Sequence, residues 1–193
     1  GFEVYTGGDM EDRHLQVLSH DPDLIVDVGF DLCAVLLERR PELASRIAGA
    51  VEITRSGIHR LRAAERLPFP AININDGRLK AAVENRHGVG VGVWDAVTEL
   101  TGMHLSGRRV LVVGYGPVGM GLAAYARAAG MAVEVAELDP IRRLFAHYDG
   151  FPTPSLEKGL ERADLLVTAT GHADAVTIEQ LEAGARSGLV LIN

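Results

Sequence analysis

Arg109-Val110-Leu111-Val112-Val113-Gly114-Tyr115-Gly116-Pro117-Val118-Gly119-Met120-Gly121 is the stretch on which the fold turns. A short apolar, β-branched run leads directly into Gly-x-Gly-x-x-Gly. An Ala-rich helical pattern follows from Leu122 to Ala129 and stops at Gly130, a residue suited to the position just past a helix end. A second apolar run, Met131 to Ala136, ends at Glu137. Strand, glycines, helix, strand and acid in this order form a dinucleotide fingerprint. Gly114 makes the tight turn out of the strand, Gly116 lets the backbone approach a pyrophosphate, and Gly119 lets the helix lie close on the strand. The free N–H groups of the helix start, where Pro117 and Val118 lie beside the bound cofactor, and the positive end of the helix dipole hold the phosphates. Glu137 accepts hydrogen bonds from the adenosine ribose hydroxyls. A carboxylate there repels a 2′-phosphate, so the expected cofactor is NAD rather than NADP.

Downstream, the pattern continues as alternating strand and helix. Asp139-Pro140 caps and starts a helix. Gly150 to Thr153 reads as a short third strand, Ser155 and Glu157 as a helix start, and Asp164 to Gly171 as a fourth strand. The Thr168-Ala169-Thr170-Gly171 end of that strand is expected beside the nicotinamide. Thr177 caps a further helix, and Gly184 to Gly188 leads to a fifth strand. Right-handed crossovers then give a doubly wound sheet.

Upstream, Phe2–Tyr5 reads as a strand, Glu11–Leu18 as a helix, Leu24–Gly29 as a buried strand and Cys33–Arg39 as a helix closed before Pro41. Ala50–Thr54 reads as a strand, His59–Arg66 as a helix and Pro70–Asp76 as a strand with a polar exit. Strands separated by helices imply parallel pairing. Gly88-Val89-Gly90-Val91-Gly92 reads either as a hinge between two lobes or as a simple loop, and Val93–Leu100 as an amphipathic helix. The expected architecture is α/β: a Rossmann-like doubly wound parallel sheet over residues 91–193, and part of a second, substrate-binding α/β lobe over residues 1–90.

The chain has 193 residues, 47% hydrophobic and 23% charged, which suits a packed globular core. A net charge of −7 argues against non-specific nucleic-acid binding. No apolar run approaches the about 18 residues that span a bilayer, so no membrane association is expected. The single cysteine, Cys33, allows no internal disulfide and fits a reducing, cytoplasmic compartment. The seven histidines show no metal-ligand spacing. Gly1–Tyr5 reads as a strand already under way and Gly188–Asn193 as a core strand that stops abruptly. The chain is therefore expected to belong to a longer polypeptide.

Several segments together resemble one family. Pro70-Ala71-Ile72-Asn73-Ile74-Asn75-Asp76, followed by Lys80, Glu84-Asn85 and Gly88, is similar to the "PAINVND…K…DN.YG" segment of S-adenosylhomocysteine hydrolase. Gly114–Gly121 resembles its "GYGxVGKG", Glu137-Leu138-Asp139-Pro140 its "EIDP", and Thr168–Gly171 its "TTTG". Asp23–Leu32 resembles its "DLILDDGGDL", and Val51–Leu61 its "EETTTGVHRL". The likeness runs in order over nearly the whole chain. It implies tightly held NAD that oxidises the 3′-hydroxyl of an adenosine ribose, after which homocysteine is eliminated, water adds and the ketone is reduced again. It also implies a small-molecule substrate and a homo-oligomer.

Carried over residue by residue, the resemblance places Lys80 at the lysine beside the 3′-hydroxyl. Glu84 stands for an aspartate, and Asn85 for the asparagine of the same motif. Thr54 and Ser56 match the first and third threonines of "TTT" on the substrate and cofactor side, and Arg55 replaces the second. Asn193 opens the family's "N.GHFD", whose histidine falls beyond the chain. Two positions depart: Val28 replaces the second aspartate of "DDGGD", and Ile53 the second glutamate of "EETTTG". Neither side chain bonds a hydroxyl.

Three functional readings follow. The first is an NAD-dependent relative oxidising a secondary hydroxyl of a nucleoside-like or other hydroxylated substrate, with altered specificity. The second is a genuine adenosylhomocysteinase, and the third a catalytically silent NAD-binding regulator. Lys80, Glu84 and Asp27 are the catalytic candidates, although Asp27 serves equally well to end a strand by accepting backbone N–H bonds. Asp31 is expected to cap the helix beginning at Leu32. His59 and Cys33 read as structural, His87 as a loop residue and Trp94 as lobe packing, while His172 lies near the expected nicotinamide.

Overall fold

The computed structural model describes residues 2–64 and 66–193. They form two compact units that divide between Gly77 and Arg78. Gly1 and Glu65, which the expected N-terminal reading and the expected His59–Arg66 helix include, lie outside the described residues.

The first unit runs α1 (Met10–Leu18), β1 (Leu24–Asp27), α2 (Asp31–Arg39), α3 (Pro41–Ala44), β2 (Gly49–Glu52), α4 (Arg55–Ala63) and β3 (Ala71–Asn73). Its three strands are parallel in the order β1-β2-β3. The register sets Asp27 opposite Glu52 and Glu52 opposite Asn73, so three polar residues meet at the carboxyl edge of the sheet. Strand alternation explains the core. Ile25 and Ala50 point to the layer that holds Leu18, Cys33 and Leu36. A fully buried side chain of the size of Ile25, Leu18 or Leu36 contributes about 1.5–3 kcal/mol. Leu24, Val26 and Ile72, on the opposite face, are exposed.

Two expectations change here. Phe2–Tyr5 is not a strand; no strand among the described residues pairs with it, and Phe2 and Val4 are exposed. Asp31 does not cap α2 but is its first residue. The capping is done by Asp27, whose carboxylate accepts the N–H groups of Leu32 (3.1 Å) and Cys33 (2.8 Å). The β1–α2 turn is tight enough, with Phe30 in the left-handed region at φ 63°, for a strand-end acid to reach the helix start.

The second unit begins with a π-helix, Lys80–Gly88, in which the Val89 N–H bonds the Glu84 carbonyl five residues back. It runs directly into α5 (Val89–Thr101) and continues as β4 (Arg109–Val113), α6 (Pro117–Ala128), β5 (Ala132–Ala136), α7 (Pro140–Tyr148), α8 (Leu156–Leu160), β6 (Leu165–Thr168), α9 (Ile178–Gly184) and β7 (Val190–Ile192). The strands are parallel in the order β5-β4-β6-β7. Alternation along β4 sends Val110 and Val112 into one helical layer with Trp94, Leu122 and Ala126, and Leu111 and Val113 into the other with Leu160 and Ala163. The sheet is therefore covered by helices on both faces. The chain leaves β4 toward β5 and returns on β4's other side as β6, which makes the carboxyl ends of β4 and β6 the switch point where such folds bind ligands. Asp139, Ser155 and Thr177 cap α7, α8 and α9 as their sequences predict, Thr177 with Gln180 in a reciprocal capping box.

The glycine-rich segment Gly88–Gly92 is neither hinge nor loop but helix, and residues 78–90 pack within the second unit, so the expected lobe boundary after Gly90 falls inside α5. The glycines serve packing instead. A Cβ on Gly90 would stand 2.9 Å from the Gly121 carbonyl carbon and from Tyr125 Cδ2, so the two bare residues let α5 and α6 cross closely. Gly150–Thr153 is not a strand. Its carbonyl at Pro152 accepts the Val135 N–H at 3.0 Å, but Pro152 has no N–H to return. No helix among the described residues is long and apolar enough to cross a membrane.

Candidate functional site

The loop between β4 and α6 has the features of a phosphate cradle. Gly114 turns out of the strand at φ 99°, and a Cβ there would press to 3.1 Å on the Ala169 carbonyl of the β6 loop. A Cβ on Gly119 would overlap the Gly114 carbonyl oxygen outright, so only glycine lets α6 start this close to β4. Gly116 is the N-cap of α6 and brings no side chain to cap it; Pro117 follows at the first turn. The N–H groups of Val118 and Gly119 therefore lack an intrahelical partner and face the loop. Glu137, just past the end of β5, is held by backbone: Oε2 accepts the Tyr115 N–H at 2.6 Å and Oε1 the Asp139 N–H at 2.9 Å. A carboxylate has acceptor capacity beyond these two bonds, which leaves Glu137 able to take ribose hydroxyls. Across the switch point, Thr168 Oγ1 donates to Asn193 Oδ1, and the His172 N–H bonds Thr170 Oγ1 at 3.1 Å beside Gly171, which sits at φ 67°. These residues fit a bound dinucleotide.

On the π-helix, Lys80 is largely buried. Its Nζ bonds the Glu84 carboxylate and donates to Asn85 Oδ1 at 3.0 Å. In an α-helix the i+5 position lies about 140° away from i, so Lys80 could not meet both residues. The wider π turn brings i+4 and i+5 onto one face with i. This helix packs on α6: a Cβ on Gly121 would overlap the Arg86 carbonyl oxygen. His87, read as a loop residue, lies on this helix with Nδ1 3.1 Å from Tyr125 Oη. Trp94 is buried in the second unit and donates from Nε1 to the Leu122 carbonyl.

In the first unit, both strand-end acids are buried and engaged with backbone. Besides capping α2, Asp27 accepts the Val28 N–H at 2.8 Å. Its oxygens are committed to three backbone donors, which favours the structural alternative over a catalytic one. Glu52 was missed by sequence reasoning. It accepts the N–H groups of Gly29 (3.3 Å), Phe30 (2.8 Å) and Thr54 (2.7 Å) and the Thr54 hydroxyl (2.6 Å). A signal existed: alternation from buried Ala50 puts Glu52 on the same inward face. Thr54 in turn caps α4 by accepting the Gly57 N–H and also takes the Gly29 N–H at 2.9 Å, and Ser56 Oγ lies 3.4 Å from it. Asp31 pairs with Arg60. Val28 and Ile53 follow directly after Asp27 and Glu52; Val28 is exposed and Ile53 half-buried. Asp27, Thr54 and Ser56 thus gather around Glu52 in the first unit, while Lys80, Glu84, Asn85 and the glycine loop belong to the second.

The sequence matches the family described as "S-adenosyl-L-homocysteine hydrolase, NAD binding domain" over residues 85–192, more than half of the chain. The chain belongs to the S-adenosyl-L-homocysteine hydrolase family. The matched domain binds NAD, in accord with its glycine cradle. Among the family's members, an S-inosyl-L-homocysteine hydrolase from Methanopyrus kandleri is 40% identical over 201 residues, which cover 100% of this chain and 47% of that protein. An adenosylhomocysteinase from Thermococcus kodakarensis is 38% identical, covering 100% of this chain and 48% of its own length. The chain spans about half the length of these relatives. In three dimensions it is similar to a dipicolinate synthase from Bacillus halodurans (TM-score 0.59, 18% identity, 78% of this chain and 52% of that one). It is also similar to a phosphoglycerate oxidoreductase from Vibrio cholerae (TM-score 0.55, 17% identity, 93% and 62%). At these identities the likeness is one of fold, the Rossmann-like α/β class.

Proposed function

We propose that the protein is an NAD-dependent enzyme of the S-adenosylhomocysteine hydrolase type that acts on a nucleoside-like or other hydroxylated small molecule, with a changed ribose pocket. Homo-oligomeric assembly and a cytoplasmic location belong to the same reading. The observation that carries it is Lys80, held by Glu84 and Asn85 in the same unit as the dinucleotide cradle. Bound NAD supplies a hydride acceptor for a secondary alcohol. Lys80 Nζ, fixed by its two partners, bonds the substrate hydroxyl oxygen and takes its proton as it passes one of its own to the Glu84 carboxylate. Glu84 balances the ammonium charge, and Asn85 Oδ1 sets the direction of the Nζ donors.

Two side chains support the change of specificity. Val28 and Ile53 stand where the family resemblance places carboxylates. A ribose hydroxyl facing either one loses a partner, at about 1–3 kcal/mol each. Adenosyl thioethers are thus expected to be poor substrates, and a molecule with fewer hydroxyls at those two positions a better one. The experiment incubates the full-length protein with NAD and either S-adenosylhomocysteine or S-inosylhomocysteine, following homocysteine release and bound NADH. Bound NADH with slow homocysteine release is the expected result. Release from S-adenosylhomocysteine at about 1 per second or faster, an ordinary enzyme rate, refutes the changed pocket. No NADH with any candidate alcohol favours the silent regulator.

A further inference from the structure

Both ends of α7 act on Glu137. At its start, the N–H of the N-cap residue Asp139 donates to Glu137 Oε1. At its end, the C-cap residue Asp149 accepts the Tyr115 phenol at Oδ2, 2.7 Å away, and the Tyr115 N–H is the donor to Glu137 Oε2. The two backbone groups that hold the carboxylate are thus each tied to one end of the same nine-residue helix, a rod about 13 Å long. The strand does not fix Tyr115 by itself. In a regular strand successive N–H groups point to opposite neighbours. Here Gly114 donates to the Ala136 carbonyl and Tyr115, the next residue, to the Glu137 side chain, both toward β5. The turn at Gly114, φ 99°, allows this and takes Tyr115 out of the ladder.

The side chain supplies what the ladder does not. The Tyr115 ring is buried and meets the Phe151 ring edge-on at 6.0 Å. Arg127, in the last turn of α6, lies 4.3 Å from the Phe151 ring centre and donates to the Asp149 carbonyl at 2.7 Å, which steadies the acceptor. Burial, and then the hydrogen bond to Asp149, push the phenol above its ordinary range, so it stays protonated and remains a donor. Packing alone does not need this hydroxyl: phenylalanine fills the same space without a polar atom to bury. We propose that Tyr115 is a positioning residue for the cofactor, its phenol anchored on Asp149 so that its N–H aims the Glu137 carboxylate at the free ribose hydroxyls of NAD. The proposal rests on the dinucleotide reading of the glycine loop. Glu137 favours NAD through directional hydrogen bonds, which need its oxygens in place. NADP, with a phosphate on that ribose, gains nothing from the same aim.

The test uses the purified full-length protein stripped of nucleotide, titrated calorimetrically with NAD and NADP. Tyr115→Phe, Asp149→Ala, Glu137→Ala and the double variant Tyr115→Phe/Glu137→Ala are compared with the wild type, and circular dichroism verifies each fold. Tyr115→Phe is expected to weaken NAD about tenfold and to leave NADP unchanged, the scale of one hydrogen bond to a charged group. Asp149→Ala should reproduce this, because the tether then fails at its other end. In the Glu137→Ala background Tyr115→Phe should weaken NAD no further, since both changes act through one carboxylate. Amide exchange at Tyr115 in the nucleotide-free protein should quicken in Tyr115→Phe. Equal weakening of NAD and NADP, or a full effect of Tyr115→Phe in the Glu137→Ala background, overturns the assignment, because the phenol then serves the whole loop. A lower melting temperature with wild-type nucleotide affinities overturns it as well. Wild-type protein that binds neither nucleotide overturns the dinucleotide reading and the assignment with it.

Discussion

The Phe30 backbone N–H donates to Glu52 Oε2 at 2.8 Å. One buried carboxylate at the end of β2 thereby pins the turn after β1, where Phe30 takes a left-handed conformation. The same carboxylate holds Thr54, which starts α4. Gly57 must be glycine for this, because a Cβ there would overlap the Glu52 carboxyl group. Val28 and Ile53 flank this knot, so the place where specificity is proposed to change is held by an acid that does not itself reach solvent.

Removing that acid should loosen both loops together. Glu52→Gln keeps the shape but sets an amide N–H₂ against backbone donors, and is expected to cost about 2–4 kcal/mol. Urea unfolding measures the loss, and amide exchange at Gly29, Phe30 and Thr54 locates it. An unchanged unfolding midpoint with full amide protection would show that the turn holds itself.

Lys80 carries the proposed chemistry. Lys80→Ala should lower bound-NADH formation by at least about a hundredfold, the usual scale for removing a proton-transfer group, while NAD affinity stays near wild type. Stopped-flow absorbance with the best substrate reads the first quantity and calorimetry the second. Asn85→Ala should lie between, since it leaves the ammonium with Glu84 but frees its direction.

Gly121 couples the Lys80 helix to the cofactor helix. Gly121→Ala drives a methyl into the Arg86 carbonyl, and such overpacking costs about 1–3 kcal/mol. The displacement should reach Lys80 through the π-helix. The expected result is a lower melting temperature together with slower NADH formation, whereas Gly92→Ala, which meets open space, should leave both unchanged.

Cys33 should resist thiol reagents. Burial pushes its thiol far above the ordinary cysteine range, and the hydrogen bond and negative charge of Asp27, with the charge of Glu52, push it further. A raised thiol keeps its proton in the fold, so this stability is complete below the unfolded value, about 8.5, and is lost as pH climbs toward the folded one. Native protein at pH 8 is expected to stay unlabelled by a disulfide reagent and to react once unfolded in urea. Rapid labelling of native protein would refute the burial.

Much of this molecule is readable from the chain alone. The run from Arg109 to Gly121, the stop at Gly130 and the acid at Glu137 are local signals, because strand period, bare Cα atoms and helix caps are properties of neighbouring residues. They determined the second unit's fold, its cradle and its helix starts at Asp139, Ser155 and Thr177. What depended on distant contacts was not legible. Gly90 is helical because it meets Gly121 across a helix crossing, Phe2–Tyr5 is no strand because no strand among the described residues pairs with it, and Glu52 is an anchor because Gly29 and Phe30 come to it from the turn after another strand. Lys80 meets both Glu84 and Asn85 only because the helix widens. Local sequence sets what each segment can form; tertiary structure decided which polar groups lost water, and a buried carboxylate or a bare glycine acquires its role only from the partner that the fold brings against it.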